Sequence, residues 1–181
     1  MTDAYDNAGR RAFFVWLAVG AAVILSALAA GRRAFGAAAL CDPFYGCGGA
    51  WDAVCAAGRL LLPSLAAFLA VFLFAFSPLS ISVSLLALAA RGLRLGAAVN
   101  ALVSRPADAK TVAAFIAYAL GAAVFCAFCA YCSALSPGAR QVSFSSAEGR
   151  REAAAILLSF PLASGAASIM TLLCALILHF G

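Results

Sequence analysis

The sequence predicts an all-α, polytopic membrane protein, a helix bundle of four to five membrane segments. Composition gives the first reason: of 181 residues, 66% are hydrophobic and 10% are charged, and the mean hydropathy is +1.04. A soluble domain is about 45–50% apolar and about 25% charged. Because a domain of this size buries only about 70% of its chain surface, a water-soluble fold could not hide so many apolar side chains.

Continuous apolar runs give the second reason. A helix that crosses a hydrocarbon core about 30 Å thick needs roughly 20 apolar residues. Four runs meet this requirement, at residues 12–30, 60–77, 111–135 and 153–180. They are rich in the helix formers Ala and Leu and lack the alternation of barrel strands. We expect Pro63 in the first turn of the second span, and Pro161 to kink the last span or delay its start.

A fifth apolar segment, residues 79–103, is harder to assign because it contains Arg91 and Arg94. Pro78 disfavours helical geometry at the residue before it, so the chain is expected to break there. Either the whole segment spans the membrane, or residues 79–90 dip into it and return. We favour five segments, with this one the least regular, in a single integral membrane domain.

Arginines at the start of the first span give the only indication of orientation. Arg10 and Arg11 precede it, and the positive-inside rule then places the N-terminus in the cytoplasm. Counted together with Arg10 and Arg11, the basic residues that flank the spans divide evenly between the two sides. We expect a multi-pass protein of the cell membrane, with a retained first helix rather than a cleaved signal, and a polar loop at residues 31–59.

The net charge of +5 requires no nucleic acid, since a few arginines flanking the spans suit anionic lipid headgroups. No basic run interleaved with aromatic residues is present for nucleic-acid binding. The lipid bilayer is therefore the first expected partner.

Three of the seven cysteines, Cys41, Cys47 and Cys55, lie in the predicted polar loop. One disulfide among them or free thiols remain equal alternatives, because the redox compartment decides between them. No histidine lies nearby to complete a zinc site.

The other cysteines lie within apolar runs. Cys126, Cys129 and Cys132 are three residues apart, and a metal site would need a fourth ligand, for which Cys174 is the one candidate. We favour the alternative that they act as small apolar residues. No metal or other cofactor is expected.

The apolar runs contain no cluster of catalytic side chains. No aspartate or glutamate falls within a run, and His179 stands near the end of the sequence. Serines such as Ser80 and Ser84 lack a base partner, and we expect them to donate to a carbonyl one turn earlier. The protein is therefore expected not to be an enzyme, with no catalytic residue.

One element stands apart, the stretch that contains Arg91, Gly92, Arg94, Gly96 and Asn100. The Gly-x-x-x-Gly pair allows close approach of another helix, from this chain, a second copy or a partner. Arg91 and Arg94 are expected on one side of the helix. They either face a polar site within the membrane or lie at the interface, with snorkelling side chains.

The segment SPLSISVSLLALAARGLRLGAAVNAL, residues 77–102, resembles the stage II sporulation protein M family. The resemblance rests on an apolar segment that follows a Ser-Pro break and continues into an Arg-Gly-x-x-x-Gly step. It implies a non-enzymatic membrane anchor that recruits peptidoglycan hydrolases.

Two functions are consistent with these features. The first is an integral membrane scaffold for membrane or cell-wall-associated proteins. The second is a small permease or transport-complex subunit in which Arg91 and Arg94 face an anionic solute.

Overall fold

The computed structural model describes residues 2–34, 50–103, 108–135 and 147–180, and helices account for nearly all of them. In chain order the helices are α1 (Thr2–Ala34), α2 (Ala50–Phe74), α3 (Ser80–Val103), α4 (Ala109–Leu135) and α5 (Ala147–Phe180). Each contains a stretch long and apolar enough to cross a membrane. The predicted all-α bundle is confirmed, with five membrane segments.

Successive helices run in alternating directions. Contacts between α1 and α3 advance together along both helices, from Gly20 with Leu88 to Ile24 with Gly92 and Leu28 with Gly96. These two helices are therefore parallel, which requires α2 to return between them. On α4 the order is reversed, because Cys126 reaches Gly20 whereas Gly121 lies beside Arg91. This alternation is the pattern of five consecutive crossings.

The second helix begins earlier than predicted. It starts at Ala50, so Pro63 lies in its interior and not in the first turn, which corrects the expectation for this residue. The reason is local, because residues 50–59 contain four alanines and continue the helix toward the N-terminus. Since α1 also reaches Ala34, the predicted polar loop at 31–59 is helical at both of its ends: residues 31–34 belong to α1 and residues 50–59 belong to α2.

The third helix is more regular than predicted. The chain does break at Pro78, in a turn where Ser80 N donates to Ser77 O over 3.1 Å. From Ser80 onward, however, α3 continues without interruption to Val103, so residues 79–90 do not form a returning half-span. Its two glycines do not interrupt the helix because they pack directly against α1.

Proline also fails to end the last helix. Pro161 lies inside α5, which begins at Ala147, before the predicted start at residue 153.

The fourth helix matches its prediction closely and has a side-chain cap. Asp108 Oδ1 accepts hydrogen bonds from the backbone N–H of Thr111 at 2.8 Å and from its hydroxyl, which satisfies an orphan donor of the first turn.

The core consists of two apolar clusters, one toward each end of the bundle. The first includes Phe68, Leu88, Phe125, Cys129 and Ala167. The second includes Leu60, Leu95, Tyr118 and Cys174. Between the two clusters four helices each contribute a polar or small residue to the interior. We call these residues the central polar layer: Ser64, Arg91, Gly121 and Thr171.

Candidate functional site

Arg91 is the centre of this layer. It is the twelfth residue of the 24-residue helix α3, and only 4% of its surface is exposed. Its Nη1 donates a 2.9 Å hydrogen bond to Oγ of Ser64 on α2. Its guanidinium carbon lies 5.0 Å from the ring centroid of Tyr118 on α4, within the range of a cation–π interaction. One side chain thus connects three helices.

This position decides between the two readings of Arg91 left open by the sequence. A snorkelling arginine extends to the membrane surface, whereas Arg91 is buried halfway along its helix. Arg94 differs, because it is only partly buried. The two arginines therefore differ in burial, although residues three apart are separated by only about 60° around a helix.

Two nitrogens of the buried guanidinium have no hydrogen-bond partner. They are Nε and Nη2 of Arg91. An arginine presents its donors in a planar fork, and these two nitrogens form one edge of that fork, the edge that binds a carboxylate through two parallel bonds. Since an unpaired donor costs more in a low-dielectric interior than in water, this edge is the most unusual feature of the described core.

Gly121 leaves space beside one of the unpartnered nitrogens. A Cβ atom built on this glycine would lie 3.6 Å from Arg91 Nη2, from the carbonyl oxygen of Ala167 and from Cβ of Met170. All three are ordinary van der Waals distances. An alanine at position 121 would therefore place its methyl group in ordinary contact with the guanidinium.

Buried serines extend the polar character along α3. Ser80 and Ser84 are each 1% exposed, and neither hydroxyl has a hydrogen-bond partner. The expected bond to a carbonyl one turn earlier is absent for both, although Ser26 makes it to Ala22 and Thr171 makes it to Ala167. With spacings of four and seven residues, Ser80, Ser84 and Arg91 share one face of the helix.

The glycine pair of α3 packs within the chain. A Cβ on Gly92 would lie 2.5 Å from the carbonyl oxygen of Ile24, and one on Gly96 would collide with the carbonyl oxygen of Leu28. Gly31 makes the corresponding close contact from α1, because a Cβ built on it would lie 2.6 Å from the carbonyl oxygen of Leu93 on α3. The backbones of α1 and α3 are therefore in direct contact, as small residues permit in membranes. Asn100, one turn beyond Gly96, is half-buried.

The cysteines of α4 pack as small side chains. Cys126 Sγ would lie 3.0 Å from a Cβ on Gly20, so this thiol fills the space that the glycine leaves. Cys129 and Cys132 are fully buried in the first core cluster, whereas Cys174 belongs to the second. Among the described residues, no three His, Cys, Asp or Glu side chains are close enough together to hold a metal ion.

The predicted disulfide lies outside the described part of the chain. Cys41 and Cys47 fall between α1 and α2, beyond the described ranges, and the side chain of Cys55 is likewise not described. The same holds for the side chain of His179.

Sequence reasoning missed three residues that surround Arg91: Ser64, Tyr118 and Gly121. Tyr118 carried a signal, because tyrosines in membrane helices concentrate at the interfaces whereas this one is tenth in the 27-residue helix α4. Ser64 also carried one, as a hydroxyl within an apolar run. Neither signal identifies the contact with Arg91, which depends on how the helices pack.

Comparison with known proteins finds no match: no protein-family model, no curated protein and no solved structure matches the chain.

Proposed function

We propose that this chain is a non-enzymatic integral membrane scaffold, a rigid helix platform on which partner proteins assemble. The observation that carries the proposal is a set of contacts that joins all five helices to one another. Arg91 joins α2, α3 and α4, Gly92 joins α3 to α1, and Gly121 joins α4 to α5. A bundle fixed at its centre by polar and backbone contacts is suited to holding a constant shape.

Rigidity favours a scaffold over a carrier. A carrier that alternates between two open states moves one group of helices against another around its binding site. Here such a movement would separate Arg91 from Ser64 or Tyr118, and would leave another buried donor without a partner. The contact of α1 with α3 would also have to break at Gly92 and Gly96, where the backbones touch.

The proposed partners are cell-wall-associated proteins, with peptidoglycan hydrolases first, as the resemblance of residues 77–102 implies. We place the protein in the cell membrane with its N-terminus in the cytoplasm, because Arg10 and Arg11 stand at the start of the apolar stretch of α1. The non-enzymatic character is inferred from the distribution of acids. In the described ranges outside α1 and α2 the acids are Asp108, Glu148 and Glu152, and all three lie at or near helix starts.

A purification from native membranes tests the scaffold. The tagged chain should retain a peptidoglycan-hydrolysing activity that is visible on a substrate gel. Gly96→Leu, which forces α1 away from α3, should lose this activity from the purified complex. Gly165→Leu is the matched control, because no atom lies within 4 Å of a Cβ there. Absence of hydrolase activity from the wild-type complex would reject this function.

A permease or transport-complex subunit is the second candidate. The observation that favours it is the unpartnered Nε and Nη2 edge of Arg91, which is a suitable contact for an anionic solute. Proteoliposomes that contain the purified chain should then take up a labelled small anion, and Arg91→Met should abolish uptake whereas Arg94→Met should not. No uptake above empty liposomes would remove this candidate.

A further inference from the structure

We propose that Arg59 on α2 and Arg94 on α3 form a binding site for the phosphate group of one anionic phospholipid, at the edge of the membrane and over the groove between these two helices. Arg59 is exposed and Arg94 is partly exposed, so a headgroup can reach both. This inference goes beyond the scaffold function, because it assigns a ligand to the bundle itself and requires no partner protein.

The depth of Arg94 follows from the contact of α1 with α3. The apolar stretch of α1 ends at Arg32 after 23 residues, about 34 Å of helix, which matches a hydrocarbon core of about 30 Å. A Cβ on Gly96 would lie 3.0 Å from the backbone N of Arg32, so Gly96 stands at this edge of the core. Arg94 precedes Gly96 by two residues and is therefore about 3 Å inside the edge, within reach of the headgroups for an extended arginine side chain.

Arg59 reaches the same level from α2. The hydrogen bond from Arg91 to Ser64 fixes how α2 and α3 are aligned, and these two helices run in opposite directions. Arg59 precedes Ser64 by five residues, which places it about 8 Å from this bond along the helix. Gly96 follows Arg91 by five residues and lies as far in the same direction. Arg59 and Arg94 are therefore at nearly the same depth.

On α3, Arg94 is on the side of α2. Gly92, which packs against α1, lies about 100° from Arg91 around the helix. Arg94 lies about 60° from Arg91 in the opposite sense. Since α1 occupies the first side and the guanidinium of Arg91 bonds to Ser64 of α2, the second side is the one that faces α2.

On α2, Arg59 is on the side next to α3 and the lipid. Phe68 and Phe72 contact rings on α4 and α5, and they lie about 40° and 80° from Ser64 in one sense around the helix. Arg59 lies about 140° from Ser64 in the other sense, away from both rings. The groove between α2 and α3 is thus bordered by one arginine from each helix.

Small side chains continue this groove toward the middle of the membrane. Ala67 and Ala70 on α2, and Ala87 and Ala90 on α3, lie on the same sides of their helices as the two arginines, and none of the four is buried. The contact of α2 with α3 is also much less extensive than that of α1 with α3. An acyl chain can lie along these alanines while its phosphate meets the arginines, which favours a phospholipid over a free phosphate.

Charge selects an anionic headgroup. Among the described side chains neither Arg59 nor Arg94 has an ion-pair partner, and Arg94 stands one turn from the buried cation of Arg91. Like charges repel more strongly near the low-dielectric core than in water, so a phosphate at this position offsets the repulsion. Basic pockets between membrane helices bind anionic headgroups in this way. A choline headgroup brings its own cation and offsets less.

Native mass spectrometry of the purified full chain in detergent tests the site. Phosphatidylglycerol should bind about 20-fold more tightly than phosphatidylcholine with the same acyl chains. Arg59→Gln and Arg94→Gln should each weaken the binding of phosphatidylglycerol about fivefold, and the double variant about 25-fold. Arg32→Gln is the matched control, since this arginine lies at the same edge of the membrane but on α1, and it should bind as the wild type does.

Two further arms distinguish a lipid from a free phosphate. Glycerol phosphate carries a phosphate without acyl chains and should not displace phosphatidylglycerol at equal concentration. Ala90→Phe fills the groove, keeps both charges and should weaken the binding of phosphatidylglycerol. A thiol-reactive dye checks that each variant is folded, because Cys129 and Cys132 are buried in the folded chain. Arg59→Gln keeps the test decisive if another variant does not fold, since Arg59 is exposed.

Five results would each overturn the proposal. They are equal affinities for the two lipids, an unchanged affinity in the double variant, a loss in Arg32→Gln as large as in Arg94→Gln, full displacement by glycerol phosphate, and an unchanged affinity in Ala90→Phe. The measurement uses the isolated chain, so its failure leaves the hydrolase co-purification unaffected. Conversely, a chain without hydrolase partners can still bind a phospholipid at Arg59 and Arg94.

Discussion

Arg91 on α3 donates a hydrogen bond from Nη1 to Oγ of Ser64 on α2, over 2.9 Å, and both side chains are buried between the two apolar clusters of the core. The two residues are 27 positions apart and come from helices of opposite direction. Their contact is a polar link between α2 and α3. It also fixes which edge of the guanidinium stays available.

Removal of Ser64 should be costly because it leaves the charged Nη1 donor buried without an acceptor. We expect Ser64→Ala to lower the free energy of unfolding by about 1–3 kcal/mol, measured by denaturant titration in mixed micelles. Ser26→Ala is the control, since that hydroxyl is exposed and bonds within its own helix, and should change stability by no more than about 0.5 kcal/mol. In a double-mutant cycle with Arg91→Met, additive effects would argue against the contact.

The glycine contact between α1 and α3 makes Gly96 intolerant of even one methyl group. Gly96→Ala should destabilise the bundle by about 1–3 kcal/mol, because the added Cβ meets backbone atoms that cannot rotate away. Gly165→Ala, with open space around it, should instead stabilise its helix by about 0.5–1 kcal/mol. The same unfolding assay compares them, and equal effects of the two substitutions would contradict the direct backbone contact.

Replacement of Ser84 by alanine should raise the stability of the folded chain. Its hydroxyl is buried without a partner, so Ser84→Ala removes an unsatisfied polar group and adds a better helix former, with an expected gain of about 1 kcal/mol. Ser82 is exposed two residues earlier, and Ser82→Ala should gain less. Destabilisation by Ser84→Ala would show that its hydroxyl has a partner.

Asp108 gives a pH dependence with a defined sign. Hydrogen bonds from the hydroxyl and the N–H of Thr111 lower the pKa of Asp108 in the folded chain below its ordinary value. A lowered folded pKa means that the contribution to stability is present above the ordinary value of about 3.9. It is lost as the pH falls toward the folded value.

The wild type should therefore be more stable than Asp108→Ala at pH 7, and the difference should shrink below pH of about 4. Thermal unfolding across this range measures it. Asp108→Asn retains a capping acceptor that does not titrate, so its advantage over Asp108→Ala should not follow pH. A difference between wild type and Asp108→Ala that stays constant to low pH would contradict the cap.

Alternating helix directions predict which positions share a membrane face. Arg11 and Arg151 stand near the starts of α1 and α5, and Lys110 near the start of α4. In a background without Cys41, Cys47 and Cys55, the variants Arg11→Cys and Arg151→Cys should react with an impermeant maleimide from the same side. Lys110→Cys should react from the other side. With a cytoplasmic N-terminus, Lys110→Cys is the variant labelled in intact cells, and labelling of all three from one side would exclude five crossings.

The resemblance and the structure support the scaffold in different ways. Residues 77–102 suggest the class of the proposed partner, and the contacts of Arg91, Gly92 and Gly121, which join the five helices, suggest the rigid platform.

The sequence by itself determined the membrane class, the number of apolar segments and the break at Pro78. These properties are local, because the hydropathy of about 20 residues and the geometry of one proline do not depend on distant contacts. The sequence also marked Arg91, Gly92 and Gly96 as unusual, since a charge and two glycines stand out in an apolar helix. It misplaced the start of α2, where alanines that suit a helix were assigned to a polar loop.

Only the tertiary structure decided which face of each helix is buried and what surrounds Arg91. In a soluble helix an apolar stripe marks the buried face, but lipid is as apolar as the protein interior, so the inward and outward faces of these helices carry similar side chains. Ser64, Tyr118 and Gly121 belong to two helices far apart in the chain. They meet Arg91 because α2 and α4 both pack against α3, which brings the middle of each of these three helices together.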